Sequence, residues 1–442
     1  MAADEASDFA LLTAAARRSI TDLRRVLQRV PRPVGERGSH FLAVIEATLT
    51  ALDAAISDRE KEFKTAVDDA DKRAVVVATR QINSYIMSFH GVTPDIESAA
   101  EPTLGLGFIY FVDQLVAHLL KQKADVVMLP GLRYNYTTGF RPFEDLLIND
   151  LGMAKYPVSV PPIIVRYPIQ EADSLFLHLI VAHELGHHVI DQAQLDQDVL
   201  KRDPDSAANA VTFDQAVGEY QKIHKVSAVR ARSEIGGRLI DWLRELICDA
   251  IALGIIGPSY LLTFAAFSTP LAGPEPGPSH PPVMIRTKLL INLIDTWDWR
   301  TTLEAQIPKT FSWMEKGSKR AQEAGTKTYY HRLEEIADRL TETIRQVVEG
   351  KLGGERYTRR AYEEQSDELM TLLENNVLPA QLGDRSPSEH RAMILAGWFS
   401  AFSRHKDEPA ALVKVVGDSG YQSFLTKALE MSALLETWQA LP

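Results

Sequence analysis

The sequence contains a single cysteine, Cys248, in 442 residues. One thiol cannot form an intrachain disulfide, so a reducing compartment such as the cytoplasm is the simplest setting. The N-terminal residues begin with acidic side chains and have no basic segment followed by an apolar run, so we expect no signal peptide. The longest uncharged apolar stretch, from Ala250 to Phe267, is interrupted by Gly257 and Pro258, which favours two buried segments over a membrane span. These absences predict a soluble cytoplasmic protein.

An excess of basic residues and the common nucleotide-binding motifs are also lacking. The formal net charge is −11 and the isoelectric point is near 5.6, which argues against nucleic acid or an anionic membrane as the main partner. We find no P-loop pattern, no G-x-G-x-x-G fingerprint and no internal repeat. Hydrophobic residues make up 45% of the chain and charged residues 24%, which is ordinary for a globular protein of this length.

The spacing of apolar residues predicts a mainly helical, α+β fold with one small β-sheet. Residues 124–130 and 159–168 are short, β-branched and bounded by proline or glycine, which is typical of strands. Residues 131–140 between them fit either a strand or a loop. Three helical segments precede the strands within residues 6–122, and the second is predicted as one long helix over 40–89.

After the strands the pattern is again helical, with two predicted interruptions. The polar residues 196–211 are typical of an inserted loop, and the six prolines of residues 268–282 exclude regular structure there. Further on, Ser386, Pro387, Ser388 and Glu389 form a capping-box pattern with proline at the first helical position. The predicted helices cover 173–194, a segment from about 213, 233–256, 283–297 and most of the chain beyond 301. The predicted regions are a helical N-terminal region over 1–122, a core over 123–300 and a helical C-terminal region over 301–442.

The segment VAHELGHHVI, residues 181–190, places three histidines and a glutamate in an apolar context where their desolvation is costly. His183, Glu184 and His187 fit the pattern H-E-x-x-H. On a helix the two histidines, four residues apart, project from one face and can bind one Zn²⁺, with Glu184 beside the metal as general base. His188 is five residues from His183 and points away from that face.

A catalytic zinc site usually needs a third protein ligand. Glu245 and Asp249 lie four residues apart in the apolar segment RLIDWLRELICDAIALGIIGP, so both face one side of a helix. They would be ordinary acids on an exposed helix, but the apolar neighbours indicate burial, where unpaired carboxylates are costly. Zinc for Glu245 and the free N–H of a ligand histidine for Asp249 would satisfy both. Cys248 could in principle bind metal, but one residue from Asp249 it is expected to point elsewhere, as a buried structural thiol.

H-E-x-x-H followed by a helical E-x-x-x-D resembles the gluzincin metallopeptidases. The continuation Gly257-Pro258, then Ser279-His280-Pro281-Pro282 with Arg286, is similar to the CAAX-prenyl-protease and HtpX-type branch. The resemblance covers roughly residues 160–295, and the chain differs from that branch in lacking transmembrane helices. The ImmA/IrrE-type regulatory peptidases are a second relative.

This resemblance implies a zincin-like core with a small sheet beside the active-site helix. It implies Zn²⁺ held by His183, His187 and Glu245, with Glu184 as base. Asp249 would accept a hydrogen bond from the free N–H group of a ligand histidine. His280 and Arg286 would be candidates for stabilising the oxyanion. These candidate residues are His183, Glu184, His187, Glu245, Asp249, His280 and Arg286.

The sequence therefore predicts a zinc metallopeptidase that cleaves a protein or peptide substrate, with an endopeptidase as the expected form. Two alternatives stay open. One is a latent regulatory or defence-type protease whose helical flanks bind a protein partner or trigger. The other is a zinc-binding scaffold without activity, although such a site would have no need of Glu184.

Overall fold

The computed structural model describes residues 2–30, 38–100, 104–121, 123–131, 136–141, 143–268, 280–323, 329–383 and 386–439. These residues form two compact units. Unit 1 comprises residues 1–104 and 123–169, and unit 2 comprises residues 105–122 and 170–442. The described residues are mainly helical with one small sheet, as the sequence predicts. The chain passes from unit 2 to unit 1 at residues 122–123, where the first region boundary is predicted, and the three predicted regions stay a prediction.

Unit 1 combines four helices with the sheet. Its helices are α1 (Ala2–Arg29), α2 (Ser39–Thr65), α3 (Asp69–His90) and α4 (Thr93–Ala100), and a short π-helix covers Asp145–Asp150. Helices α1, α2 and α3 pack against one another. Asp68 begins α3, because its side chain accepts a hydrogen bond from the backbone N–H of Asp71 at 2.8 Å. The single long helix predicted over 40–89 is therefore wrong: the chain breaks at residues 66–68 and folds back as two helices.

The three strands form a mixed sheet in the order β1-β3-β2. Strand β3 (Pro162–Pro168) pairs in parallel with β1 (Asp125–Gly131) and antiparallel with β2 (Thr137–Phe140). The two predicted strands are confirmed, and part of segment 131–140 is a strand, while residues 132–135 lie outside the described residues. Apolar residues of β1 and β3 share one core with helices α1 to α4, namely Val127, Leu129, Ile164, Ile20, Phe41, Ile45, Ile86, Phe89 and Ile96. The H-E-x-x-H segment belongs to unit 2.

Helix α2 is long and apolar enough to cross a membrane, judged by length and composition alone. The core helix of a soluble protein passes the same test. One face of α2 is buried in unit 1, including Phe41, Leu49 and Ile56.

Unit 2 is built from helices, with a single antiparallel bridge between Gln381 and Pro387 among its described residues. Its helices are α5 (Leu106–Leu120), α6 (Leu175–His178), α7 (Val181–Ala193), α8 (Leu195–Arg202), α9 (Ser206–His224), α10 (Ala228–Ile256), α11 (Pro258–Ser268), α12 (Val283–Thr296), α13 (Arg300–Gln306), α14 (Pro308–Glu323), α15 (Tyr329–Leu352), α16 (Arg359–Glu374), α17 (His390–His405), α18 (Ala411–Gly417) and α19 (Ser419–Gln439). Helix α10 packs against α7, α9, α12 and α15. Residues 245–256 of α10 are all buried, so this half of the helix is central to unit 2.

Two predictions in unit 2 are wrong, one of a loop and one of a helix start. Residues 196–211 are not a loop, because α8 and α9 cover most of them and only residues 203–205 interrupt the helices. Leu195 and Val199, four residues apart, bury one face of α8. Helix α17 begins at His390 instead of Pro387, because the Glu389 carboxylate accepts the backbone N–H of Ala392 at 2.7 Å. The predicted loop at 268–282 falls largely on residues 269–279, outside the described residues.

Candidate metal centre

The candidate site lies where α7 crosses α10 in unit 2. A Cβ atom added to Gly186 of α7 would lie 3.1 Å from the Cα atom of Cys248 and 3.2 Å from its Sγ atom. Glycine permits this approach, because a Cβ atom here would force the two helices apart by a few tenths of an ångström. The close approach brings the histidine face of α7 onto the acidic face of α10.

Both histidine side chains meet the carboxylate of Glu245. The Nε2 atom of His183 lies 3.3 Å from Glu245 Oε2, and the Nε2 atom of His187 lies 3.4 Å from Glu245 Oε1. The two imidazole rings are nearly perpendicular, with centroids 5.2 Å apart. Ligand atoms of a tetrahedral zinc site with bonds of about 2.0–2.1 Å lie roughly 3.3–3.4 Å from one another. Both distances are compatible with ligand atoms around one metal ion.

The opposite side of the His183 ring contacts Asp249, which is fully buried. The Nδ1–H group of His183 donates to Asp249 Oδ1 at 2.8 Å. The same oxygen accepts the hydroxyl of Tyr260 at 2.5 Å and Nη2 of Arg286 at 2.6 Å, and Asp249 Oδ2 accepts Nε of Arg286 at 2.7 Å. A carboxylate that orients a ligand histidine through its second nitrogen is a regular feature of metal sites.

These contacts fix the charges of the metal-free site. Burial alone would raise the pKa of Asp249, but the charge and hydrogen bonds of Arg286 and His183 lower it to about 2. Burial opposes protonation of His183, yet its hydrogen bond to Asp249 and the adjacent Glu245 carboxylate raise its pKa to about 9. Burial would likewise raise the pKa of Glu245, and its contacts with the two histidines hold it far below the usual range. Without a metal, the site therefore holds a proton on His183 between two carboxylates.

The Oε2 atom of Glu245 shows why a cation fits here. It is buried and accepts no hydrogen bond within the described part of the chain. When His183 is neutral with its proton on Nδ1, Nε2 presents a lone pair toward this oxygen. Two acceptors 3.3 Å apart are unfavourable unless a cation is shared between them. A metal ion can replace the proton and satisfy both atoms.

Cys248 offers a second possible ligand set, which the sequence did not predict. Its Sγ atom and one ring nitrogen each of His183 and His187 lie within 4.8 Å of one another. The prediction that Cys248 points away from the histidines is therefore wrong. Burial, together with the charge of Glu245, raises the pKa of the thiol well above its ordinary value. The thiol is therefore neutral in the metal-free protein, and a metal would have to displace its proton.

Glu184 and His280 line the more open side of the site. Glu184 is half-buried, and burial raises the pKa of its carboxyl group despite the nearby histidines. The side chain of His187 is 30% exposed and that of His280 is 60% exposed, whereas Asp249 is completely buried. His280 Nε2 lies 3.7 Å from Glu245 Oε1. The site thus has a buried side at Asp249 and an opening to solvent, its mouth, at His187 and His280.

Arg286 was expected near an oxyanion, but the structure places it beneath the ligands. Its guanidinium group contacts both oxygens of Asp249, and its Nη1 atom lies 3.4 Å from Glu245 Oε2. The same group lies over the ring of Phe264 in a cation–π contact. Its side chain is almost entirely buried. This geometry suits the support of Asp249, and Tyr260, the other supporting group, was not singled out from the sequence.

A cavity elsewhere contains none of these residues. It has a volume of about 950 Å³, lies in unit 1 and is lined by α2, α3 and residues 149–153. We place the candidate active site at α7 and α10 instead, because that is where metal-binding and titratable groups converge.

Comparison with known proteins gives no assignment: no protein-family model, no curated protein and no solved structure matches the chain.

Proposed function

We propose that the chain is a zinc-dependent metallopeptidase with a zincin-like core, in which His183, His187 and Glu245 hold the metal. The observation that carries the proposal is the convergence of two Nε2 atoms on one buried carboxylate at 3.3 and 3.4 Å. The Oε2 atom of that carboxylate accepts no hydrogen bond from the described residues. Three protein ligands with an open mouth are the arrangement of catalytic zinc sites.

We assign the third ligand to Glu245 in preference to Cys248. Both carboxylate oxygens of Glu245 face a histidine nitrogen, at 3.3 and 3.4 Å, which is the spacing expected for a shared ion. Glu245 is also already ionised, because its pKa lies far below the usual range, while the pKa of Cys248 is raised.

A zinc ion bound there would polarise a peptide carbonyl and lower the pKa of its water. Glu184 would accept the proton of the attacking water and return it to the leaving amine. Burial raises the pKa of this carboxyl group, which makes the carboxylate a stronger base for the first transfer. His280, exposed at the mouth, would donate a hydrogen bond to the carbonyl oxygen as charge develops on it.

The first test is metal content and cleavage in wild type and in Glu184→Gln. We expect about one zinc per chain in both, since Glu184 is not among the proposed ligands. A fluorescence-quenched peptide library should be cleaved by wild type and, after loss of the general base, roughly 10²- to 10⁴-fold more slowly by Glu184→Gln. Wild type without zinc, before or after reconstitution, would refute the proposal. Equal cleavage by the two proteins would refute the role of Glu184.

A second test compares Glu245→Ala with Cys248→Ala after loading with Co²⁺. We expect Glu245→Ala to lose tight binding and Cys248→Ala to keep it. A thiolate bound to Co²⁺ gives intense near-ultraviolet charge-transfer absorption, which we expect to be absent in wild type. The opposite pattern would make Cys248 the third ligand.

One observation favours a second candidate function, a latent peptidase switched on by a protein partner. Unit 1 is compact, has its own core and contains a cavity of about 950 Å³ outside the metal site. Such a unit offers a partner or trigger a binding place built from residues other than those of the metal site. Protein that binds zinc stoichiometrically yet cleaves nothing until a partner is added would favour this candidate. Zinc binding with no activity under any condition would leave a scaffold.

A further inference from the structure

Tyr260 reaches the metal centre only because the chain reverses after α10. In one continuous helix, residues 249 and 260 would be about 16 Å apart along the axis. Instead α10 ends at Ile256, Gly257 adopts φ +64° and ψ −155°, and α11 starts at Pro258. The hydroxyl group of Tyr260 thereby lies 2.5 Å from Asp249 Oδ1 and 3.2 Å from His183 Nδ1.

Asp249 needs more than one partner to hold a fixed orientation. Oδ1 is shared among His183, Tyr260 and Arg286, while Oδ2 contacts Nε of Arg286. Arg286 neutralises the buried charge, and a guanidinium group can grip either carboxylate rotamer. The Tyr260 hydroxyl, fixed on a fully buried ring, approaches one oxygen only. It therefore restrains the position and plane of the carboxylate that faces His183.

We propose that Tyr260 is a positioning residue for the metal: its hydroxyl fixes Asp249, and Asp249 fixes the tautomer and ring plane of His183. The inference rests on the metal site proposed above. It follows that removing a single oxygen atom, 3.2 Å from the ring of one ligand, weakens metal binding without altering any ligand.

The test is Co²⁺ titration of the full chain, comparing wild type, Tyr260→Phe and the matched control Tyr421→Phe. Tyr421 is also buried in unit 2, and its hydroxyl donates to the carbonyl of Gly397 at 3.3 Å. Both substitutions remove one buried hydroxyl and keep the ring. We expect Tyr260→Phe to bind Co²⁺ about 10- to 100-fold more weakly, with a changed visible d–d spectrum, and Tyr421→Phe to match wild type.

A double-mutant cycle with Asp249→Asn separates positioning from a general loss of stability. If Tyr260 acts through Asp249, adding Tyr260→Phe to Asp249→Asn should weaken Co²⁺ binding no further than about twofold. Independent, multiplying effects would overturn the proposal. So would wild-type affinity and spectrum in Tyr260→Phe, which leaves the metallopeptidase proposal intact. Absence of metal binding by wild type would refute both.

Discussion

At the scale of single residues, Gly186 sets the distance between the histidines and their acidic partner. It is a central residue of the H-E-x-x-H motif, where any side chain would point at the backbone of α10. Alanine is a better helix former than glycine by about 1 kcal/mol. At this position we expect the contact with Cys248 to outweigh that preference, because the atoms met are the Cα, Cβ and Sγ atoms of Cys248 and α10 itself would have to shift.

Gly186→Ala should therefore lower the free energy of unfolding by about 1–3 kcal/mol, the range for overpacked cores. It should also weaken zinc, because helices displaced by a few tenths of an ångström change the contacts between Nε2 atoms and Glu245. Chemical denaturation and zinc titration on one preparation measure both effects. The control is Gly237→Ala, on the exposed face of α10, where an added Cβ meets nothing within 4 Å. A stabilised Gly186→Ala protein with unchanged zinc affinity would contradict this account.

Residue spacing identified most of the site but not its support. His183, His187, Glu245 and Asp249 each lie on a helix, so a separation of four residues reveals their common face. Tyr260 belongs to the next helix, and its approach depends on a turn whose direction the sequence pattern does not encode. The same limit explains Cys248, whose distance from the histidines follows from how closely two helices cross.

At the scale of elements, the turn between α10 and α11 decides whether the site forms. Gly257 has a backbone conformation that is essentially restricted to glycine. An added Cβ would also lie 2.8 Å from Cδ1 of Tyr357 and 3.3 Å from the ring of Trp299. Backbone strain and steric contact thus act at one position, directly before the helix that carries Tyr260.

We expect Gly257→Ala to destabilise unit 2 by about 2–5 kcal/mol and to weaken zinc binding. Gly353→Ala is the matched control, because Gly353 has φ +54° but nothing within 4 Å of an added Cβ. It should cost only about 1–2 kcal/mol and leave zinc affinity unchanged. Thermal unfolding and zinc titration provide the comparison, and equal behaviour of the two variants would show that Tyr357 and Trp299 do not constrain the turn.

The sequence pattern predicted where helices occur, but it did not predict the residues at which they begin and end. Apolar periodicity continues across residues 66–68, so it predicted one helix where the Asp68 cap begins a second. In residues 196–211 the many polar side chains suggested a loop, although Leu195 and Val199 provide a sufficient buried stripe. Caps and tertiary burial decide such cases, and neither is visible in a local pattern.

At the scale of the whole molecule, buried histidines make stability depend on pH. Burial lowers the pKa of both His178 and His390 to about 4, below the value near 6.5 of an unfolded chain. Unfolding then takes up protons, and stability is lost as the pH falls from about 6.5 to 4. His183 has the opposite sign in the metal-free protein: its pKa is raised to about 9, so its contribution is present below pH 6.5 and is lost as the pH rises to 9.

Metal-free protein should consequently be most stable near pH 6.5, with each buried histidine costing up to about 3 kcal/mol toward pH 4. Urea unfolding between pH 4.5 and 9, in the presence of a chelator, measures the curve. His390→Gln should flatten the acid limb, and the same substitution at the half-exposed His331 should not. With saturating zinc the alkaline limb should disappear, because a metal-bound imidazole has no proton to lose. An acid limb of unchanged steepness in His390→Gln would exclude that residue as its source.

The chain's one thiol lies at the crossing of α7 and α10, fully buried against Gly186. A thiol-specific dye can reach it only when the helices packed around this part of α10 open, so labelling of the native protein reports an opening of that core. Since the chain has no other cysteine, no substitution is needed to make the reading unambiguous. The labelling half-life of Cys248 therefore measures how often the structure opens locally around the ligands. A metal that holds both helices together should lengthen this half-life.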